Sequence, residues 1–318
     1  MLVAALALAL AGCGGGDGRD NVPAAPAPPP PSASDRVLAA VGDIACNAGD
    51  STTATTCRHA DTAGLVRDHK PNAVALLGDV QYDSATEAEF TSRGAFGDTW
   101  GAYKARLFPA PGNHEYKTSP TAAGYFAYFG RRAGRPGRAW YSYDLADWHV
   151  IALDSSCTDA SCSNRELGAT PRAQVAWLRR DLAANRGRCT LAYWHHPRFS
   201  SGLHGDNPGV APLWDALHTA RADVVLGGHD HSYERFDQQD PRGRPAADGI
   251  RQFVVGTGGR SLYELDRTPR RTSRFRYDRG FGVLFLTLRP GSYSWAFRAV
   301  GGKTIDSGSG RCHAAASG

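Results

Sequence analysis

Four apolar runs in this chain each end by delivering polar, chemically active side chains. Ala73-Val74-Ala75-Leu76-Leu77 has the length and composition of a buried strand, and it runs directly into Gly78-Asp79-Val80-Gln81-Tyr82. Gly78 lets the backbone turn sharply, so Asp79 stands at the carboxyl end of that strand. In open α/β sheets this is the edge where ligands collect. Val37 to Val41 runs into Gly42-Asp43, Leu191 to Trp194 into His195-His196, and Val224 to Leu226 into Gly227-Gly228-His229-Asp230-His231. A further turn carries Pro111-Gly112-Asn113-His114-Glu115. Together the five turns gather two Asp, one Asn, one Tyr and several His at one sheet edge, the composition of a metal centre.

At 318 residues the chain can bury a large core, as one big domain or two small ones. The formal charge of +5 attracts anions weakly, which suits a small phosphorylated substrate. Arg267, Arg270, Arg271, Arg274 and Arg276 form one basic loop, but no groove-reading motif accompanies it. That loop reads as a solvated surface, and nucleic acid is excluded as a partner.

Residues 1–13 read as an export signal. Residues 1–12 are apolar and end Leu10-Ala11-Gly12-Cys13, which resembles the lipobox of a bacterial lipoprotein signal peptide. The stretch is too short for a permanent spanning helix. A plain secretory signal is the alternative; in the lipobox reading Cys13 is the only membrane anchor and the protein is periplasmic or cell-surface. Residues 14–35, rich in Pro, Ala and Gly, read as an extended linker, and 36–318 as the folded domain. Six cysteines remain, an even number suited to an oxidising compartment. Proximity pairs Cys46 with Cys57 and Cys157 with Cys162, which leaves Cys189 for Cys312. Counting alone leaves the connectivity open.

Along the domain, a strand over 36–41 is followed by a polar loop and a helix over about 60–69. Residues 85–107 show a helical rhythm, and 139–144 and 148–154 alternate as two strands. Thr170-Pro171 opens a helix in which Val175, Leu178 and Leu182 recur at helical spacing and Gly187 stops the run. After Asn207-Pro208, Val210, Leu213, Trp214 and Leu217 form a buried stripe. Arg251 to Val255 and Gly282 to Thr304 read as antiparallel strands around Pro290-Gly291-Ser292. Strand–helix alternation followed by hairpins predicts an α/β fold.

The set Gly42-Asp43, Gly78-Asp79-x-x-Tyr82, Gly112-Asn113-His114-Glu115, His195-x-Pro197 and Gly228-His229-x-His231 resembles the calcineurin-like metallophosphoesterases. Within them it is most similar to the purple acid phosphatase branch. Outside that branch a His follows the first Asp by two residues, whereas Ala45 stands here, and Tyr82 takes its place. The branch itself normally carries Gly at the position of Ala45. The resemblance implies a four-layer αββα sandwich with two mixed sheets and the metal site at the carboxyl ends of the strands.

It also implies two metal ions and a ligand set. Asp43, Asp79, Tyr82 and His231 would hold Fe(3+), since a hard trivalent ion prefers carboxylate and phenolate oxygens. Asp79 as a bridge, with Asn113, His195 and His229, would hold a divalent ion, Zn, Mn or Fe(2+). Such a pair hydrolyses phosphate monoesters by activating water and neutralising charge on the entering and departing oxygens. His114 and His204 are the implied substrate-side residues, with His114 assisting the leaving group. His196 and Asp230 alternate with ligands and are expected to point away from them, with Glu115 as a partner that orients a ligand. His59, His69, His149, His218 and His313 lie outside every motif. The alternatives are a phosphodiesterase or nucleotidase with the same centre, or a non-catalytic phosphate-binding lipoprotein.

Overall fold

The strand-forming runs at both ends of the chain pair with one another rather than with their neighbours alone. The computed structural model describes residues 35–156, 171–265 and 268–313. The signal segment with Cys13, the linker to residue 34, Thr170 and the Cys157–Cys162 pair lie outside the described residues.

The first half of the fold comprises β1 (Arg36–Val41), α1 (His59–His69), β2 (Ala73–Leu77), α2 (Glu87–Thr91), α3 (Phe96–Thr99), β3 (Leu107–Ala110), α4 (Asn113–Tyr116) and α5 (Ala123–Phe129). It continues with β4 (Tyr141–Leu145), β5 (Trp148–Ala152), α6 (Arg172–Ala184), β6 (Cys189–Tyr193), α7 (Ala211–Thr219) and β7 (Val224–Gly227). The chain then runs through β8 (Tyr233–Gln239), β9 (Ile250–Val255), β10 (Ser273–Tyr277), β11 (Gly282–Arg289), β12 (Ser292–Ala299) and β13 (Thr304–Arg311). One sheet has the order β13-β12-β11-β1-β2-β3 and the other β10-β8-β9-β7-β6-β5-β4. Both are mixed: β1, β2 and β3 run parallel, as do β5, β6, β7 and β9, while antiparallel strands complete each sheet.

Strand alternation explains the layering. In the second sheet Val150, Leu191, Tyr193, Val224, Leu226 and Phe253 face the core shared with the first sheet. Their neighbours Ile151, Ala192, Trp194, Val225 and Val254 face the opposite way, against Leu178 and Leu182 of α6 and Leu213, Trp214 and Leu217 of α7. Leu65 and Val66 of α1, with Phe90, Phe96, Trp100 and Tyr125, pack with the first sheet. Two mixed sheets between helices form the expected α/β sandwich.

Several expectations are adjusted. The rhythm over 85–107 resolves into α2, α3 and a 3₁₀ turn at Gly101–Arg106. Pro171 caps α6 instead of opening it. The strand at 251–255 is not purely antiparallel: it pairs in parallel with β7 and antiparallel with β8. The basic loop contains the edge strand β10, with Arg270 on Asp206 at 2.5 Å and Arg274 on Asp237 at 2.6 Å. Cys46–Cys57 and Cys189–Cys312 are disulfides, as proximity predicted. Among the described residues no helix is long and apolar enough to cross a membrane.

Candidate metal centre

The turns that end β1, β2, β3, β6 and β7 converge where the parallel strands of both sheets finish. Asp43, Asp79 and His229 all hold left-handed backbone, with φ of 62°, 48° and 70°. For residues with a Cβ this conformation costs of order 1 kcal/mol or more, and it persists where the surroundings over-determine it. The two glycines beside them admit the approach. A Cβ at Gly78 would lie 2.6 Å from His195 Nδ1, and one at Gly228 would lie 2.7 Å from Asp43 Oδ2. Ala45 needs no such freedom, because its φ is not positive. It is buried and pairs with Gln81 in a short parallel bridge between the two aspartate turns.

Seven predicted ligands meet here. Tyr82 Oη lies 3.0 Å from Asp43 Oδ1, 3.1 Å from Asp79 Oδ2 and 3.1 Å from His231 Nε2. His231 Nε2 is 3.3 Å from Asp43 Oδ1. On the other side of Asp79, His195 Nε2 lies 3.2 Å from Asp79 Oδ2, 3.0 Å from Asn113 Oδ1 and 3.2 Å from His229 Nδ1. Asp79 therefore lies between Tyr82 on one side and His195 on the other, and Asp43 also groups with Asp79 and His195.

The donor set fits cations better than it fits itself. Tyr82 has one hydroxyl hydrogen for two carboxylate oxygens, with the His231 imidazole beside them. The Nδ1–H of His195 donates to the Leu77 carbonyl at 2.9 Å, so Nε2 is the nitrogen that faces carboxylate, amide oxygen and imidazole. Crowded buried lone pairs repel unless a positive charge lies among them. Three oxygens and one nitrogen on one side, against two of each on the other, also suit two ions of different hardness.

The buried charges shift one another's proton affinities. Burial alone would raise the Asp79 carboxyl, but His195 and His114 hold it well below the usual carboxylate range. Burial lowers His195, and Asp79 more than reverses this, to about 9. Burial, with Asp43 and Asp79 adding to it, pushes the Tyr82 phenol well up. Burial, His196 and His195 press His229 well below the ordinary imidazole range. Glu115 is raised to about 7 by burial and by Asp79. Its carboxylate still accepts from the Asp79, Val80 and Gly112 amides at 2.9, 2.8 and 2.6 Å, which fixes the Asp79 and Asn113 turns to each other. Bound metal ions would be the largest local charges and would invert these balances.

His114 borders the centre. Its amide donates to Asp79 Oδ1 at 2.9 Å, its ring lies 4.2 Å from that of Tyr82, and Nε2 is 3.9 Å from Asp79 Oδ2. Nδ1 donates to the Asp83 carbonyl at 2.5 Å, so Nε2 is the nitrogen left for the site. His204 stands at the rim, its ring 4.0 Å from His229. Asp230 points away from the ligands, as alternation predicts, and accepts from His204 Nδ1 at 3.0 Å. His196 is the exception. Its Nδ1 meets Ser155 Oγ at 2.9 Å, yet its ring lies 4.4 Å from His229 and groups with His195 and His229. β6 ends at Tyr193, so strand alternation no longer governs position 196. His59, His69 and His149 bond to scaffold carbonyls or carboxylates, and the His313 ring lies 3.3 Å from Asp223.

The sequence reading missed residues 260–263. Arg260 donates its amide to the Asp43 carbonyl at 3.0 Å, and Ser261 Oγ meets His231 Nδ1 at 2.8 Å. Tyr263 stacks on His231 with centroids 4.0 Å apart. No apolar run announces this strap, and Gly258-Gly259-Arg260 reads as ordinary loop.

The profile of the family described as calcineurin-like phosphoesterase matches residues 37–233. Purple acid phosphatase 15 of Arabidopsis thaliana is 25% identical over 262 residues, which cover 70% of this chain and 44% of that protein. Fe(3+)-Zn(2+) purple acid phosphatase 12 of Arabidopsis thaliana is 27% identical over 265 residues, 71% of this chain and 53% of that protein. The chain thus spans about half the length of these relatives. The purple acid phosphatase from yellow lupin (Lupinus luteus) seeds has the same fold, with a TM-score of 0.65 at 18% identity over 89% of this chain and 55% of that one.

Proposed function

The chain belongs to the calcineurin-like phosphoesterase family, and from that premise we propose that it hydrolyses phosphate monoesters at a binuclear metal centre. The observation that carries the reading is the double cluster around Asp79, in which one buried carboxylate lies against both Tyr82 and His195. Asp43, Asp79, Tyr82 and His231 would hold Fe(3+), and Asp79, Asn113, His195 and His229 a divalent ion. The Fe(3+) and Zn(2+) in the name of the Arabidopsis relative support a mixed pair of this kind. When bound, the ions supply Lewis acidity toward water and the phosphoryl oxygens.

The chain's own residues do the rest. Glu115 and the strained turns hold the ligands in place before substrate arrives. His114 carries a proton on Nε2 toward the departing oxygen, with Nδ1 fixed by Asp83. His204, oriented by Asp230, covers the opposite rim. The proposal includes an exported protein, anchored through Cys13, with residues 36–318 as its catalytic domain. Two disulfides support an oxidising compartment.

Asp79→Ala tests the centre. It removes the one ligand shared by both clusters, so the purified variant should lose both ions and nearly all turnover. Elemental analysis showing two ions still bound, with normal hydrolysis of monoesters, would refute the assignment. Assays on monoester, diester and nucleotide substrates side by side test the substrate class.

A further inference from the structure

We propose that the cavity between the Arg135–Arg138 hairpin and α6 binds an acidic glycan, a chain of sugar rings that carry carboxylate or phosphate groups. The cavity has a volume of about 540 Å³ and lies beside β4, the edge strand of the second sheet. Arg131, Arg135 and Arg138 line it together with Trp140, Tyr141 and Trp177. None of these belongs to the clusters around Asp79.

The local sequence builds the basic side. Pro136 and Gly137 make the turn of a tight hairpin, with Gly137 at φ 75°, as the third position of a type II turn requires. Arg135 and Arg138 exchange backbone hydrogen bonds at 3.1 and 2.7 Å. Residues directly opposite in an antiparallel pair project from one face, and like charges there repel. At the base of the hairpin Gly134 has φ 83°, and a Cβ on it would lie 2.6 Å from the Arg138 carbonyl oxygen. The chain thus closes a turn that sets two like charges side by side on one cavity.

Among the described residues no carboxylate pairs with Arg131, Arg135 or Arg138. The polar groups of the remaining wall are committed to the fold. Tyr141 Oη donates to the Pro109 carbonyl at 2.9 Å, and Ser142 Oγ to Asp181 at 2.8 Å. Asp181 in turn holds His149 Nε2 at 2.7 Å. Three guanidinium groups are therefore left for a ligand, and each matches a carboxylate or phosphate with its planar fork. The rest of the wall selects a ring. The Arg138 guanidinium carbon lies 5.8 Å from the centroid of Trp140, so charge and apolar surface stand side by side. An inorganic anion uses the arginines alone, whereas a ring with an apolar face uses the indoles as well. The choice of sugar over nucleobase rests on the exported reading above.

Titration calorimetry on the purified protein compares trigalacturonate with inorganic phosphate, uncharged maltotriose and a thymidine trinucleotide. Trigalacturonate should bind about tenfold or more tighter than each of the others. Arg135→Ser/Arg138→Ser should weaken it roughly 10–100-fold, the range for lost hydrogen bonds to charged groups. Trp177→Leu should weaken it about 2–10-fold through lost ring contact. Both arginines are exposed, so their replacement leaves the core intact and decides the matter even if Trp177→Leu does not fold. Hydrolysis of 4-nitrophenyl phosphate should be unchanged in the arginine variant. Absence of trigalacturonate binding overturns the proposal, as does binding that the arginine variant retains. Phosphate bound as tightly reduces the cavity to an adventitious anion site, and a trinucleotide bound more tightly assigns it to nucleic acid; either result overturns the glycan. Wild-type protein that hydrolyses no monoester refutes the hydrolytic reading and leaves this test intact.

Discussion

Tyr82 has one proton for three neighbours, and that shortage is the clearest statement the molecule makes about its chemistry. A phenol 3.0–3.1 Å from two carboxylates and an imidazole is held there by the fold, not by its own hydrogen bonds. Tyr82→Phe deletes the oxygen but little volume, so folding should survive. If iron occupies this side, the oxidised wild type absorbs in the visible and the variant does not; a colourless, fully active, iron-free wild type refutes the iron assignment. His114 separates holding metal from using it. Its side chain lies outside the two clusters, so His114→Ala should retain both ions while turnover falls by roughly 10²–10⁴. The loss should be greater for alkyl phosphates than for 4-nitrophenyl phosphate, whose leaving anion needs less protonation. Equal losses on both would remove the acid role, and loss of metal would make His114 a ligand.

At the level of elements, legibility followed apolar density. β1, β2, β6 and β7 are short apolar runs that stop at Gly, Asp or His, so both their burial and their active ends stood in the sequence. β8 and β10 escaped because Tyr-Glu-Arg-Phe-Asp-Gln-Gln and Ser-Arg-Phe-Arg-Tyr carry charge through the strand. β13 reads as a loop, Thr-Ile-Asp-Ser-Gly-Ser-Gly-Arg, for a packing reason. A Cβ at Gly308 would lie 2.3 Å from the Trp295 ring and one at Gly310 2.5 Å from Tyr293, so the rings of β12 cover glycines that nothing larger could replace. The junction of β5 and α6 shows a buried polar group that no periodicity reveals. Asp154 follows β5 and accepts from Tyr116 Oη at 2.6 Å and the Ser156 amide at 2.8 Å, while its backbone bonds Gln174 of α6. Burial raises its carboxyl to about 6, above the ordinary 3.8. Only well below 3.8 do both folded and unfolded chains hold the proton. As pH rises toward 6 the unfolded chain releases it first, so this group withdraws about 3 kcal/mol of stability across that window. Asp154→Asn does not titrate. Urea unfolding at pH 4, 5 and 6.5 should therefore show the variant gaining on the wild type by about that amount, and a flat difference would place the carboxyl in a less costly environment.

Across the whole molecule, the two sheets are fastened at both ends and the chemistry occupies one of them. At the carboxyl ends the Gly42 amide bonds Val255, His195 reaches Leu77, and the side chains around Asp79 close the gap. Along the side, Asp306 of β13 accepts from Tyr233 and Arg235 of β8, each at 2.7 Å, and from Trp295 at 3.1 Å. At the amino end of β6, the Cys189–Cys312 disulfide ties the second sheet to the residue after β13, across 123 residues of chain. A cross-link of that span restricts the unfolded chain by about 4–5 kcal/mol on the loop-entropy account. Cys312→Ser should therefore lower the unfolding free energy by roughly 3–5 kcal/mol. The residues proposed to hold metal lie beyond the other end of β6, His195 about 20 Å from Cys189 at strand rise, so the two fastenings should act independently. Chelation then shifts the denaturation midpoint of wild type and Cys312→Ser by equal free energies, because ions bound to the native state stabilise it by mass action alone. Metal content at 25 °C should be unchanged in the variant. A larger chelator effect without the disulfide would mean that the sheets shear against each other and that the ligand geometry depends on the far end of the sandwich.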